Sequence, residues 1–223
     1  GHPAQDGIMS DNLVENNIFY DCGDEGGGAA INLAGVEDSI FRNNIVYGSR
    51  MAGGIANWDD GYSSWGDTGN YAFGCKNNLF LHNTIDCRSC DRHALSFRNG
   101  SVGNSFVNNI VLTAERDAIA VDPESNHDLT IDTNIYLEDT IFEDTGENWI
   151  SLAEWREATG YDLNSIASTM AALFRDPTAN DYFLSESSPA RNAGEEMGVE
   201  TDIDGLPRPQ GGRSDIGARE YAE

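Results

Sequence analysis

The sequence predicts an all-β, parallel β-helix solenoid of about five coils, and three observations carry that expectation. A short motif returns along the chain as Asn16-Asn17-Ile18, Asn43-Asn44-Ile45, Asn83-Thr84-Ile85, Asn108-Asn109-Ile110 and Thr133-Asn134-Ile135. Subtracting successive Ile positions gives 27, 40, 25 and 25 residues. A second apolar site, Ile31, Ile55, Leu95 and Ile119, trails each of the first four motifs. The alternation is short and β-like, with no helical period over any long window.

Each unit begins with an apolar stretch before the Asn pair: Leu13-Val14, Ile40-Phe41, Phe80-Leu81, Phe106-Val107 and Leu129 to Ile131. The pair then separates two short strands. Asn tolerates left-handed backbone, so it turns the chain sharply without glycine. Repeated at one level of every coil, its amide can bond to the coils above and below, because stacked strands lie about 4.8 Å apart. A period near 25 residues with turn Asn and Gly and no helix suits a parallel β-helix, in which stacking builds the core. A leucine-rich repeat shares the period but needs a Leu-x-x-Leu-x-Leu pattern, and this chain lacks one. Coils are expected over 1–140, with a long insertion at about 58–75.

The stretch from 141 to 223 reads differently. Ser151 is a helix N-cap, with Glu154 completing a capping box. Leu152, Trp155 and Ala158 form an apolar face that ends at Gly160. A second short helix is expected from about Asn164 to Leu173. Beyond Asp176-Pro177 the chain is Gly/Pro-rich and looped. Such a segment suits the open end of a solenoid, whose bare edge strands invite aggregation. The first coil has no comparable cover, so the chain is expected to be part of a longer helix or to form a homo-oligomer.

Taken together, these features resemble the right-handed parallel β-helix proteins of bacteria, the pectate-lyase-like superfamily. The repeats carry the resemblance over nearly the whole chain. More specific are Phe174-Arg175-Asp176-Pro177, Asp181-Tyr182-Phe183-Leu184, Asp202-Ile203-Asp204-Gly205-Leu206-Pro207-Arg208-Pro209 and Asp215-Ile216-Gly217-Ala218-Arg219-Glu220-Tyr221. They look like the closing segment of secreted β-helix proteins. The resemblance implies a secreted or cell-surface protein and a polysaccharide partner, and it leaves activity open because fold does not fix function.

Composition excludes other classes. The 223 residues carry 38 acidic and 13 basic side chains, a net charge of −25, and Lys76 is the lone lysine. No nucleic-acid footprint is present, and an anionic membrane surface would repel the chain. No apolar run approaches the roughly 20 residues of a membrane-spanning helix, so membrane insertion is not expected. No signal peptide is visible, and the chain reads as a mature or truncated product. Cys22, Cys75, Cys87 and Cys90 suit disulfides in an exported protein. Cys87-x-x-Cys90 followed by His93 is also half of a zinc motif, without a second pair of ligands.

Function on a solenoid is expected on one outer face. The insertion supplies Trp58, Tyr62 and Trp65 as platforms for sugar rings, and Asp59 and Asp60 beside them. Alignment of the second strands gives two columns expected to point outward: Ala30, Gly54, Ala94 and Ala118, then Ala34, Trp58, Arg98 and Asp122. These would make a groove for an extended glycan. A lyase needs a base and a positive group that neutralises a uronate carboxylate. Lys76 and His82 are candidate bases, Arg98 the neutraliser, and Asp59, Asp60 and Asp122 candidate calcium ligands. A hydrolase needs two carboxylates across the sugar bond, for which Asp59 or Asp60 would pair with Asp122. The expected function is thus a polysaccharide lyase ahead of a glycoside hydrolase. A non-catalytic carbohydrate-binding module and a plain structural solenoid are the alternatives. The strong negative charge weighs against polyuronates at low salt. In seawater-like salt, where the Debye length is roughly 4 Å, only local charges matter.

Overall fold

The computed structural model describes residues 7–23, 28–59, 73–176 and 178–222. Three sheets run the length of the molecule. Sheet A stacks Leu13–Glu15, Ile40–Arg42, Leu79–Leu81, Ser105–Val107 and Thr130–Asp132 in chain order, all parallel. Sheet B stacks Ile18–Tyr20, Ile45–Tyr47, Thr84–Cys87, Ile110–Thr113, Ile135–Leu137 and Ile166–Ser168 in the same way. Sheet C stacks Ala29–Ala34, Gly53–Trp58, Leu95–Phe97, Ile119–Val121 and Ile141–Glu143, then ends in the antiparallel Trp149–Ser151. The chain is an all-β parallel solenoid of about five coils.

The two residues of each Asn pair do different work. The first turns the chain: Asn16, Asn43, His82, Asn108 and Thr133 all have φ between 52° and 61°. The second forms the ladder. The amide oxygen of Asn44, Asn83, Asn109 and Asn134 accepts the backbone N–H of Asn17, Asn44, Asn83 and Asn109 in the coil before, at 2.9–3.1 Å. The side-chain N–H groups of Asn44, Asn83, Asn109 and Asn134 return bonds to Val14 O, Phe41 O, Phe80 O and Phe106 O. A second ladder, not anticipated from the sequence, runs through Asn12, Ser39, Asn78 and Asn104 at the other end of sheet A.

Inside, the strand register aligns Val14, Phe41, Phe80, Phe106 and Ile131 in one column. Phe41 and Phe80 stack at 5.0 Å between centroids. At the last rung, helix α1 (Leu152–Thr159) closes the core. Ser151 caps it, the capping box with Glu154 is formed, and Gly160 ends it in the left-handed region. Trp155 is fully buried and stacks on Phe142 at 5.2 Å. Ala158 is exposed, so the apolar face is narrower than expected. The second helix is also shorter: α2 spans Met170–Leu173, because Ile166–Ser168 pairs with Ile135–Leu137 as one more rung of sheet B.

The rest of the closing segment does not sit on the end. It runs as a strap along the outer face of sheet B, where Phe174, Tyr182, Leu184, Ala190, Ile216 and Ala218 bury Ile45, Ile110 and Ile135. Val199 and Met197 extend it over Leu81 and Val107 of sheet A. The turn column is its docking rail. Asn43 Nδ2 donates to Thr201 O, Asn108 exchanges bonds with the Glu195 backbone, and Thr133 Oγ1 donates to Glu195 Oε1. Arg208, enclosed with Glu220, bonds Asp215 O, Gly217 O and Asn43 Oδ1.

The cysteines divide. Cys87 and Cys90 form a disulfide, which removes the zinc alternative, while Cys22 and Cys75 are free thiols. Burial pushes the Cys75 thiol up to about 11. Alkylation of the native protein is therefore expected to label Cys22 and spare Cys75, and unfolding without reductant to expose both. Mass spectrometry of iodoacetamide-treated protein reads this directly.

Candidate functional site

Among the described residues, the strap lies on sheet B and part of sheet A and leaves the outer face of sheet C uncovered. A cleft of about 400 Å³ lies on it, lined by Asn32, Trp58, Arg92, His93, Ser96 and Arg98 among others. Parallel register builds this surface. Asn32, Ala56 and Ser96 pair across successive strands, and Ala120 and Glu143 continue the column. Beside it, Trp58, Arg98 and Asp122 occupy matching positions, with Ala34 next to Trp58.

The other expected column points inward. Ala94 and Ala118 are buried within the solenoid core, Ala30 packs against it, and a side chain on Gly54 would meet Ile85 Cγ2 at 2.6 Å. Ala94 and Ala118 adjoin the equally buried Leu95 and Ile119, so the two-residue alternation slips by one ahead of the second apolar site. The outward column is therefore Gly53, His93 and Asp117. Gly53 is needed for close approach, since a Cβ there would lie 2.5 Å from His93 O. Gly53→Ala is expected to displace the His93 backbone and lower the melting temperature by several degrees, measurable by calorimetry.

Four side chains converge at this place. His93 Nδ1 lies 2.7 Å from Asp117 Oδ2, and Asp117 is almost wholly buried. A carboxylate oxygen accepts and a guanidinium only donates, so the neutral tautomer that suits both partners has its proton on Nδ1 and its lone pair on Nε2. Nε2 faces Arg98 Nη2 at 3.3 Å, and the same Nη2 bonds Glu143 Oε1. The arrangement is an imidazole base oriented by a buried carboxylate, beside a guanidinium held by a second carboxylate. His93, Asp117 and Glu143 bring ligand atoms within 4.8 Å of one another, close enough to hold a metal ion. Arg98 already supplies the positive charge there, so a metal would have to displace it.

The other expected site residues lie elsewhere or are engaged. Lys76 pairs with Glu37 at 3.1 Å and does not line the cleft. His82 is fully buried beneath the strap. Its Nδ1 bonds Asp215 O at 3.0 Å, and its Nε2 accepts from Asn108 Nδ2 at 3.0 Å. Burial and the nearby Arg208 charge hold its pKa well below the ordinary histidine value. Asp122 accepts Asn99 N–H at 2.7 Å on one oxygen and Ser125 N–H at 2.9 Å on the other. Asp59 is buried and accepts Phe73 N–H at 3.0 Å, bracing the ends of the insertion. Asp60, Tyr62 and Trp65 lie outside the described residues. Asp59 and Asp122 thus both accept backbone N–H groups.

The buried His82 gives a pH prediction. Its folded pKa is below its unfolded one, so its contribution is fully present above about pH 6.5 and is lost as pH falls toward the folded value. His82→Asn, which matches Asn43 and Asn108 in the turn column, should remove that loss. The variant is expected to gain stability on the wild type by up to ~1.4 kcal/mol per pH unit below 6.5, read from paired urea titrations. The difference isolates His82 from Asp162. That carboxyl is raised by burial to about 6 and acts with the opposite sign.

Fold and cleft together define a parallel β-solenoid with a His–Asp–Arg–Glu cluster on one outer face. No protein-family model matches the chain, and no curated protein sequence matches it. Among the described residues, no helix is long and apolar enough to cross a membrane.

Proposed function

We propose that the chain is a secreted or cell-surface, pectate-lyase-like protein of bacterial type that cleaves an acidic polysaccharide by β-elimination. The observation that carries this reading is the 3.3 Å approach of His93 Nε2 and Arg98 Nη2 in one open cleft. Elimination needs both groups. Arg98 would bind the uronate carboxylate and stabilise the negative charge that develops beside it. Once Arg98 turns to the carboxylate, His93 Nε2 is free to take the proton from the neighbouring carbon. The C–O bond to the next sugar then breaks, the departing oxygen takes a proton from solvent, and an unsaturated sugar remains while His93 later returns its proton to solvent. Asp117 holds the imidazole and stabilises its charged form. Trp58 offers a flat apolar wall for a sugar ring.

Hydrolysis fits less well. It needs two carboxylates facing the bond, whereas Asp117 is buried against His93 and Glu143 is tied to Arg98. The Cys87–Cys90 disulfide supports an oxidising compartment. A binding module remains the second reading, favoured by the hold of Glu143 on Arg98.

The test is incubation with acidic and neutral polysaccharides, with and without chelator, following ultraviolet absorbance and reducing ends together. Both signals should rise on an acidic glycan. Reducing ends without absorbance would replace elimination by hydrolysis. Retention on a glycan without cleavage would make the chain a binding module.

A further inference from the structure

The cleft is not electrostatically uniform along the solenoid axis. Its first lobe is lined by Arg92, His93 and Arg98 and, among the described residues, by no carboxylate. Arg98 also lines a second hollow of about 240 Å³, together with Asp122, Glu143, Asp144 and Glu147. Asp144 stays ionised, because the N–H groups of Asn148 and Gly146 hold its carboxyl below the usual range. The second lobe thus carries several negative charges against the one guanidinium that the lobes share. From the rung of Trp58 to that of Glu143 is three strand spacings, about 14 Å, long enough for consecutive sugars.

Resting on the reading of this cleft as a glycan site, we infer that its substrate is a heteropolysaccharide. An acidic sugar occupies the Arg92/His93/Arg98 lobe and a neutral or amino sugar occupies the Asp144/Glu147 lobe. A homopolyuronate would set a carboxylate among the acidic side chains of the second lobe. At low salt that repulsion is unscreened, and at high salt it fades. Like charges facing one another across an interface act as selection against the wrong partner. With His93 held by Asp117 and Arg98 shared with Glu143, Arg92 and Arg98 are the cations that line the first lobe on a chain of net charge −25, so placement of substrate charge matters more than its total.

The test compares an alternating uronate–N-acetylhexosamine polymer with polygalacturonate at low and high salt, in chelator, by affinity electrophoresis and product absorbance. The alternating polymer should bind or react at least tenfold better at low salt, with the gap narrowing as salt rises. Thr145→Lys and Glu147→Gln change exposed positions lining the acidic lobe. Each should raise polygalacturonate binding severalfold, by a larger factor than any change for the alternating polymer, and so narrow the low-salt gap between the two. Equal use of both polymers, unmoved by these variants, would overturn the inference and leave the glycan site standing. Failure of the folded protein to bind either polymer would overturn both.

Discussion

His93→Asn is expected to abolish product absorbance on the acidic glycan, a loss of about 10³-fold in turnover, within the range for removing a general base. The fold should survive, because His93 is only partly buried and its ring bonds two side chains rather than the backbone. Glycan binding should fall far less than turnover, since Arg98 and Trp58 remain. Asp117→Asn would leave a hydrogen-bond partner but remove the charge that favours protonated imidazole. It should cost less, and it should shift the alkaline-going limb of the rate profile. A binding module predicts a different result. His93→Asn would then alter affinity, and no variant would change a turnover that does not exist. Rates at saturating glycan, with circular dichroism to confirm folding, decide between the two.

The largest stability loss is expected from the interior of the ladder. Asn109 Oδ1 accepts both the backbone and side-chain N–H groups of Asn83, and its Nδ2 donates to Phe80 O, Val107 O and Asn134 Oδ1, all within the buried stack. Asn109→Ala strips these partners where water has no entry. Leaving buried polar groups unsatisfied costs about 1–3 kcal/mol each, so a total near 4 kcal/mol and a fall of about 10 °C in melting temperature are expected. Asn17 sits at the same position in the first coil, but it is exposed. Asn17→Ala should cost under about 1 kcal/mol, because solvent replaces what is lost. Equal losses at the two positions would show that the ladder is not what fixes the stack.

The repeats were legible because ladder geometry demands one residue type at one level. Asn17, Asn44, Asn83, Asn109 and Asn134 announce the period, and the apolar residues on either side fix the strands. The capping box at Ser151 and Glu154 was legible for the same reason: a local bond needs a fixed spacing. The site was legible only in part. Register puts Trp58 and Arg98 side by side along the cleft, as their equal spacing from Ile55 and Leu95 implies. His93 and Asp117 were hidden because the alternation slips by one ahead of Leu95 and Ile119, which puts the expected outward Ala94 and Ala118 in the core. Glu143 was harder still, since the preceding loops set its register with Ala120 and no motif marks it. His82 misled because it replaces Asn in the turn column, where backbone geometry and strap docking explain it without chemistry.

The strap has a consequence for how the molecule comes apart and goes together. In a bare solenoid each coil touches only its neighbours, so ends fray one by one and stability is a sum of adjacent steps. Here Thr201 reaches Asn43, Asp215 reaches His82, and Glu195 reaches both Asn108 and Thr133. A middle coil cannot loosen without peeling a segment that also grips its distant neighbours, which converts a zipper into a single cooperative unit. Because that segment follows every coil in the chain, a ribosome releases the stack before it releases the latch. Newly made coils must hold together on their ladders and inner faces alone until the latch closes along their flank.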